Sequence, residues 1–254
     1  MAVKQFDTKD LQVEASTPNR QLSAEGWGFR LGAVGAVAGS LLAGAGNLLH
    51  PATPVGQSEG VARAIAQSTG WAPIHLMIVA GLILMFAGLV AISRSIKVGL
   101  AGALARFGYA AAVAGITIGV LLVTIDGVAA KHLADVWAAS PPVQRADALR
   151  LVLAEESINF AIASAFNIVF AGVTYIFLGL AVALSRVYPR PLGWVAVAIG
   201  LGCIVAGTIQ ALTGEPTLVT KVLTIVFPTV ITLWTALMGV LLWRKTAFLE
   251  VTTA

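Results

Sequence analysis

The sequence predicts an all-α polytopic membrane protein, a six-transmembrane-helix bundle with both N and C termini cytoplasmic. It is short of charge, it carries six separate apolar stretches of bilayer length, and its Lys and Arg residues crowd into alternate loops. Charged residues make up 11% of the 254 positions, hydrophobic residues 58%, and mean hydropathy is +0.89. A water-soluble domain carries about 25% charged residues because its surface must stay hydrated. This chain has too little polar surface for that.

Taken in order, residues 1–26 are polar and mixed in charge, without an apolar stretch, and read as a cytosolic N-terminal tail instead of a secretory signal. A membrane domain over 27–245 and a cytosolic C-terminal tail over 246–254 follow. The expected spans are 28–49, 72–93, 107–128, 158–185, 192–212 and 222–243, each near or above the about 20 residues a helix needs to cross hydrocarbon. Asp126 interrupts the third near its end and Pro228 lies in the sixth; both are tolerated where they face protein or water. Pro228 removes one backbone hydrogen bond and predicts a bend, with Thr224, Thr229, Thr232 and Thr235 near enough to satisfy neighbouring carbonyls.

Two loops on the outer side are long. Within 51–71, the amphipathic run 61–67 predicts a short helix on the membrane surface. Within 129–159, residues 131–139 extend the third helix beyond the bilayer, Ser140-Pro141-Pro142 ends it, and 143–156 form a helix leading into the fourth span. The inner loops are short and predict tight antiparallel hairpins. Gly35-xxx-Gly39 and Gly115-xxx-Gly119 allow close helix approach.

Orientation follows from the residues that resist translocation. Lys4, Lys9, Arg20, Arg30, Arg94, Lys97, Arg106, Arg186, Arg190, Arg244 and Lys245 fall on the side of the termini, eleven of the 16 Lys and Arg residues. Trp27, Trp71, Trp194 and Trp243 sit at span ends, where amphipathic rings prefer to be. The expected location is therefore the cell membrane, multi-pass, N-in and C-in, with the lipid bilayer as the first partner. The net charge of +4 follows from this bias, so no nucleic-acid partner is implied.

Six spans, two long outer loops, and Pro-Arg-Pro-Leu-Gly-Trp at 189–194 opening the fifth helix form a layout that resembles a bacterial six-helix integral membrane family known only as a domain of unknown function. The resemblance covers the whole chain. It implies the six-helix fold and carries no catalytic residues.

The residues with chemistry gather on the outer side. His50 ends the first helix, His75 lies in the first turn of the second, and Asp126 and His132 lie near the end of the third. Imidazole and carboxylate are the usual ligands of zinc, copper or iron, and three imidazoles with an open position are a catalytic zinc set. A transition metal or haem is the expected cofactor, held by His50, His75, Asp126 and His132. Asn47 shares a helix face with His50, and Asp135 shares one with His132. A bland alternative is that interfacial histidines cap helix ends. A second polar set includes Asn167 and Gln210 inside the spans; it lines a ligand cavity, or it bonds helix to helix. Glu155-Glu156 reads as the complement of a helix N-terminus.

The lone Cys203 excludes an intramolecular disulfide. With no P-loop, dinucleotide glycine pattern or nucleophile elbow in the sequence, an ATP-driven pump, a dehydrogenase and a serine hydrolase are disfavoured. The leading expectation is a metal, haem or small-ligand site at the extracytoplasmic face. Two other classes remain beside it: an accessory or scaffold subunit with a membrane partner subunit or homo-oligomer, and a small-solute transporter.

Overall fold

The computed structural model describes residues 23–214 and 217–252. Residues 1–22 of the expected 1–26 tail, Glu215, Pro216 and the last two residues lie outside the described residues. Nine α-helices and no strand occur among the described residues: α1 (Ala24–Leu49), α2 (Ser58–Gln67), α3 (Trp71–Ser95), α4 (Gly99–Thr124), α5 (Lys131–Ala139), α6 (Arg145–Phe166), α7 (Tyr175–Leu184), α8 (Arg190–Thr213) and α9 (Leu218–Thr252). Two π-helical stretches, Ile125–Ala130 and Asn167–Thr174, join α4 to α5 and α6 to α7 without a break.

Six of the resulting rods are long and apolar enough to cross a membrane: Ala24–Leu49, Trp71–Ser95, Gly99–Ala139, Arg145–Leu184, Arg190–Thr213 and Leu218–Thr246. Their outward faces are apolar too, with Leu41, Leu76, Leu121, Leu201 and Leu233 each more than half exposed. A helix apolar all round belongs in lipid.

Local chemistry sets the ends. Ser23 caps α1, its Oγ accepting the Gly26 N–H at 3.1 Å, so the first helix begins four residues before the expected span. Gly99 adopts φ +62° directly after three loop residues, and α4 starts there, eight residues earlier than the sequence suggested. Only glycine makes so tight a reversal at low cost. Gly214, at φ +69°, closes α8. At the other end of the chain α9 runs through Thr252, helical where a C-terminal tail was expected. It also passes Pro228 unbroken; Thr229 donates its hydroxyl to the Ile225 carbonyl at 2.7 Å and Thr232 donates to Thr229 O at 2.8 Å.

The bundle packs on small residues. A side chain at Gly39 or Gly81 would collide with the facing backbone of α3 or α1, and the same holds between Gly179 on α7 and Gly193 on α8. Hydrophobicity does not drive helices together inside lipid, so backbone approach and van der Waals contact do. One large core then runs through the spans, around Met85, Phe170, Tyr175, Trp234 and Met238.

The start of α1 and the end of α9 lie at one end, where Arg30 of α1 lies over the Trp243 ring of α9, 5.4 Å from its centroid. The tight α3–α4 and α7–α8 loops meet there through a 2.7 Å bond between Ser95 Oγ and Tyr188 OH. Burial pushes the Tyr188 phenol up to about 12, so it stays a neutral hydroxyl. At the far end α2, α5 and the first half of α6 form a cap with small cores of their own, one around Val61, Ile65, Trp71 and Ala134, another around Trp137, Ala148 and Val152. The amphipathic helix, the extension of the third span and the break at 140–142 all appear as expected.

Candidate metal centre

Where the spans meet the cap, His50, His75 and Asp126 converge, and one ligand atom from each lies within 4.8 Å of the others. The three come from separate elements: the C-cap of α1, the first turn and a half of α3, and the first π stretch. His75 is buried, while His50 and Asp126 are half-buried.

The rings are oriented by the backbone. His75 Nδ1 donates to the Trp71 carbonyl at 2.7 Å, and His50 Nδ1 donates to the Pro51 carbonyl at 2.9 Å. A carbonyl only accepts, so in each neutral ring Nδ1 holds the hydrogen and Nε2 is a bare lone pair. These two Nε2 atoms face each other at 3.2 Å, and His75 Nε2 stands 3.1 Å from Asp126 Oδ2. Two lone pairs and a carboxylate oxygen repel one another unless a cation lies among them. Imidazoles that give one N–H to a carbonyl and turn the other nitrogen inward are the usual arrangement of metal-ligating histidines.

The surroundings hold this geometry. The Trp71 indole donates to the main-chain carbonyl of Asp126 at 2.7 Å, tying α3 to the π stretch. Trp71, His50 and His75 form a three-ring cluster with centroids 4.8 to 4.9 Å apart. Gly127, next to Asp126, lets His75 lie directly against the helix; a Cβ there would overlap the His75 side chain. A π turn at such a point is common near functional residues.

His132 is not among these three. It is exposed on α5 and outside the group. Asp135 pairs with Lys131 at 2.5 Å, and Lys131 also donates to the Ala66 carbonyl at 3.3 Å, which ties α5 to α2. Asn47 is exposed on α1. Asn167 and Gln210 do meet, but as a clamp between helices: Asn167 Nδ2 donates to Gln210 Oε1 at 2.9 Å, and Gln210 Nε2 donates to Phe160 O at 3.4 Å.

Two features were missed by sequence reasoning. Trp71 reads as an interfacial anchor and is in fact a buried donor to the Asp126 turn. Glu155 reads as a complement to a helix N-terminus, yet α6 starts ten residues before it, with Asp147 in the first turn. Instead Glu155 and Glu156 lie within electrostatic reach of Asp126, and Glu155 Oε1 and Asn159 Oδ1 are buried without a hydrogen-bond partner among the described residues. An acid that recurs three helical turns past a cap is the signal that was available. No family model, curated protein or solved structure matches the chain.

Proposed function

We propose that this protein is an integral membrane protein of the cell membrane, N-in and C-in, that binds a divalent transition-metal ion at its extracytoplasmic face. His50 Nε2, His75 Nε2 and an Asp126 carboxylate oxygen are the protein ligands, and a further position is open to water or substrate. The observation that carries this reading is the inward-facing pair of Nε2 atoms, 3.2 Å apart, beside a carboxylate.

Bonds of about 2.0–2.1 Å to zinc imply tetrahedral ligand–ligand edges of about 3.3 Å. The His–His and His–Asp separations of 3.2 and 3.1 Å match that edge. The remaining His50–Asp126 edge closes by rotation of the Asp126 side chain, which is 30% exposed. Two histidines, one carboxylate and open positions suit zinc or ferrous iron. A porphyrin plane does not fit between nitrogens 3.2 Å apart, so a bare ion is favoured over haem.

The second occupant the geometry supports is a proton shared by His75, His50 and Asp126, because the His75–Asp126 contact is also that of an ion pair. Metal analysis of the full-length protein, purified without chelator and reloaded with Zn²⁺ or Co²⁺, separates the two. The metal reading expects one equivalent per chain and a visible tetrahedral-type Co²⁺ spectrum. His50→Ala, His75→Ala and Asp126→Ala each lose retention at least tenfold, while His132→Ala keeps it. Wild-type protein that retains no metal, or the same amount as His75→Ala, leaves the proton reading in its place.

A further inference from the structure

A second site lies at the opposite end of the bundle, where α1 begins and α9 ends. The α3–α4 hairpin forms an open hollow of about 460 Å³ lined by Val90, Ser93, Arg94, Ile96, Lys97, Arg106 and Tyr109. Three of these seven are cations and none is an acid. Lys97 is ion-paired with Glu25 of α1. Arg94 and Arg106 have no acidic partner among the described residues, so two guanidinium groups flank one hollow unneutralised. The Tyr109 ring is set against Phe86, centroids 6.4 Å apart, and brings a phenolic donor to the same wall.

We propose that this hollow binds the phosphate of an anionic phospholipid. Guanidinium groups match phosphate oxygens in pairs, and two of them on one hollow select an anion over a zwitterion. The source of the phosphate follows from the flanks. Val98 and Leu100, one and three positions after Lys97, are 80% and 68% exposed, and Phe107, after Arg106, is 62% exposed. Apolar groups so exposed at the end of a membrane span lie against acyl chains. The anion therefore arrives with its lipid tails alongside. A free phosphate would leave that apolar rim unused. Basic pockets between spans are a recurring way of holding such head groups.

Native mass spectrometry of the full-length protein in neutral detergent tests this, with phosphatidylglycerol, phosphatidylcholine and inorganic phosphate as probes. The expected result is phosphatidylglycerol retained over phosphatidylcholine. Arg94→Gln and Arg106→Gln each weaken it about fivefold, and together about 25-fold. Arg63→Gln, at the far end, leaves binding unchanged, and Arg94→Lys/Arg106→Lys keeps most of it. Equal retention of the two lipids, or an unchanged double Gln variant, overturns the proposal. Inorganic phosphate that displaces phosphatidylglycerol also overturns it, in favour of a soluble anion. Should the Gln variants fail to fold, the lipid preference of the wild-type protein decides alone.

Discussion

At the scale of single residues, the proposed metal centre rests on which nitrogen of each histidine bears hydrogen. Main-chain carbonyls make that choice for His50 and His75, and the carbonyl that orients His75 belongs to Trp71. Trp71 then spends its own indole N–H on Asp126 O, so one residue aligns two ligands. Trp71→Phe removes the indole donor and preserves an aromatic wall. It is expected to lower metal affinity about 10- to 100-fold, the range typical for groups that orient ligands, with the helices intact. Isothermal titration with Zn²⁺ beside circular dichroism measures both; an unchanged affinity would show that the indole bond orients nothing. His132 is the residue that a common depth does not place. It follows Asp126 by six positions, and the rest of the π stretch Ile125–Ala130 lies between them, so its direction around the rod does not follow from a regular 3.6-residue period. Similar depth in the membrane is a weaker criterion than a shared face.

Among the elements, the two π stretches carry the most consequence. Each inserts extra backbone into a turn, so a regular 3.6-residue pattern read across it drifts out of phase. The sequence locates the third and fourth rods well and leaves the faces of their outer halves ambiguous for this reason. The first stretch also brings Asp126 and Gly127 against α3 with no room to spare. Gly127→Ala places a methyl group on His75. Overpacking of this kind costs about 1–3 kcal/mol, and it pushes α3 away from the π stretch. Thermal unfolding in detergent should show the loss of stability, and metal retention should fall with it. A Gly127→Ala variant as stable and as metal-rich as the wild type would mean that this contact is not closely packed. By contrast Gly28, with open space around it, should accept alanine without effect on the site.

For the whole molecule, the six apolar rods, the amphipathic α2 and the continuation of the third helix were legible because composition and period alone report them. Hydropathy marks what lipid accepts, and Ser-Pro-Pro at 140–142 marks where a helix stops. The convergence of His50, His75 and Asp126 was legible as a common depth. The clamp of Asn167 on Gln210 and the place of Glu155 were not, since both depend on how α6 packs, which no local pattern encodes. Orientation in the membrane has a direct test. Cysteines introduced at Gln57 and Ser140, beside a native Cys203 that is buried, should react with an impermeant thiol reagent on intact cells. Labelling only after lysis would put the metal centre on the cytoplasmic side.

The cap of α2, α5 and early α6 also divides the molecule thermodynamically. The rod from Gly99 to Ala139 has 41 residues, roughly 60 Å of helix against about 30 Å of hydrocarbon, so α5 stands in water. Water-driven burial holds the cap around Trp137 and Val152, whereas the spans cohere by contact within lipid. The heat-capacity increment of unfolding therefore belongs almost wholly to the cap. Cooling or urea should weaken it while the spans stay intact. Hydrogen exchange is expected to show the amides of α2 and α5 losing protection in urea well before those of α3 or α8. Simultaneous loss would mean a single cooperative unit. Because Trp71 belongs to the cap's core and orients His75, chilling that loosens the cap also loosens the proposed metal site, and metal retention should fall together with the protection of α2 and α5.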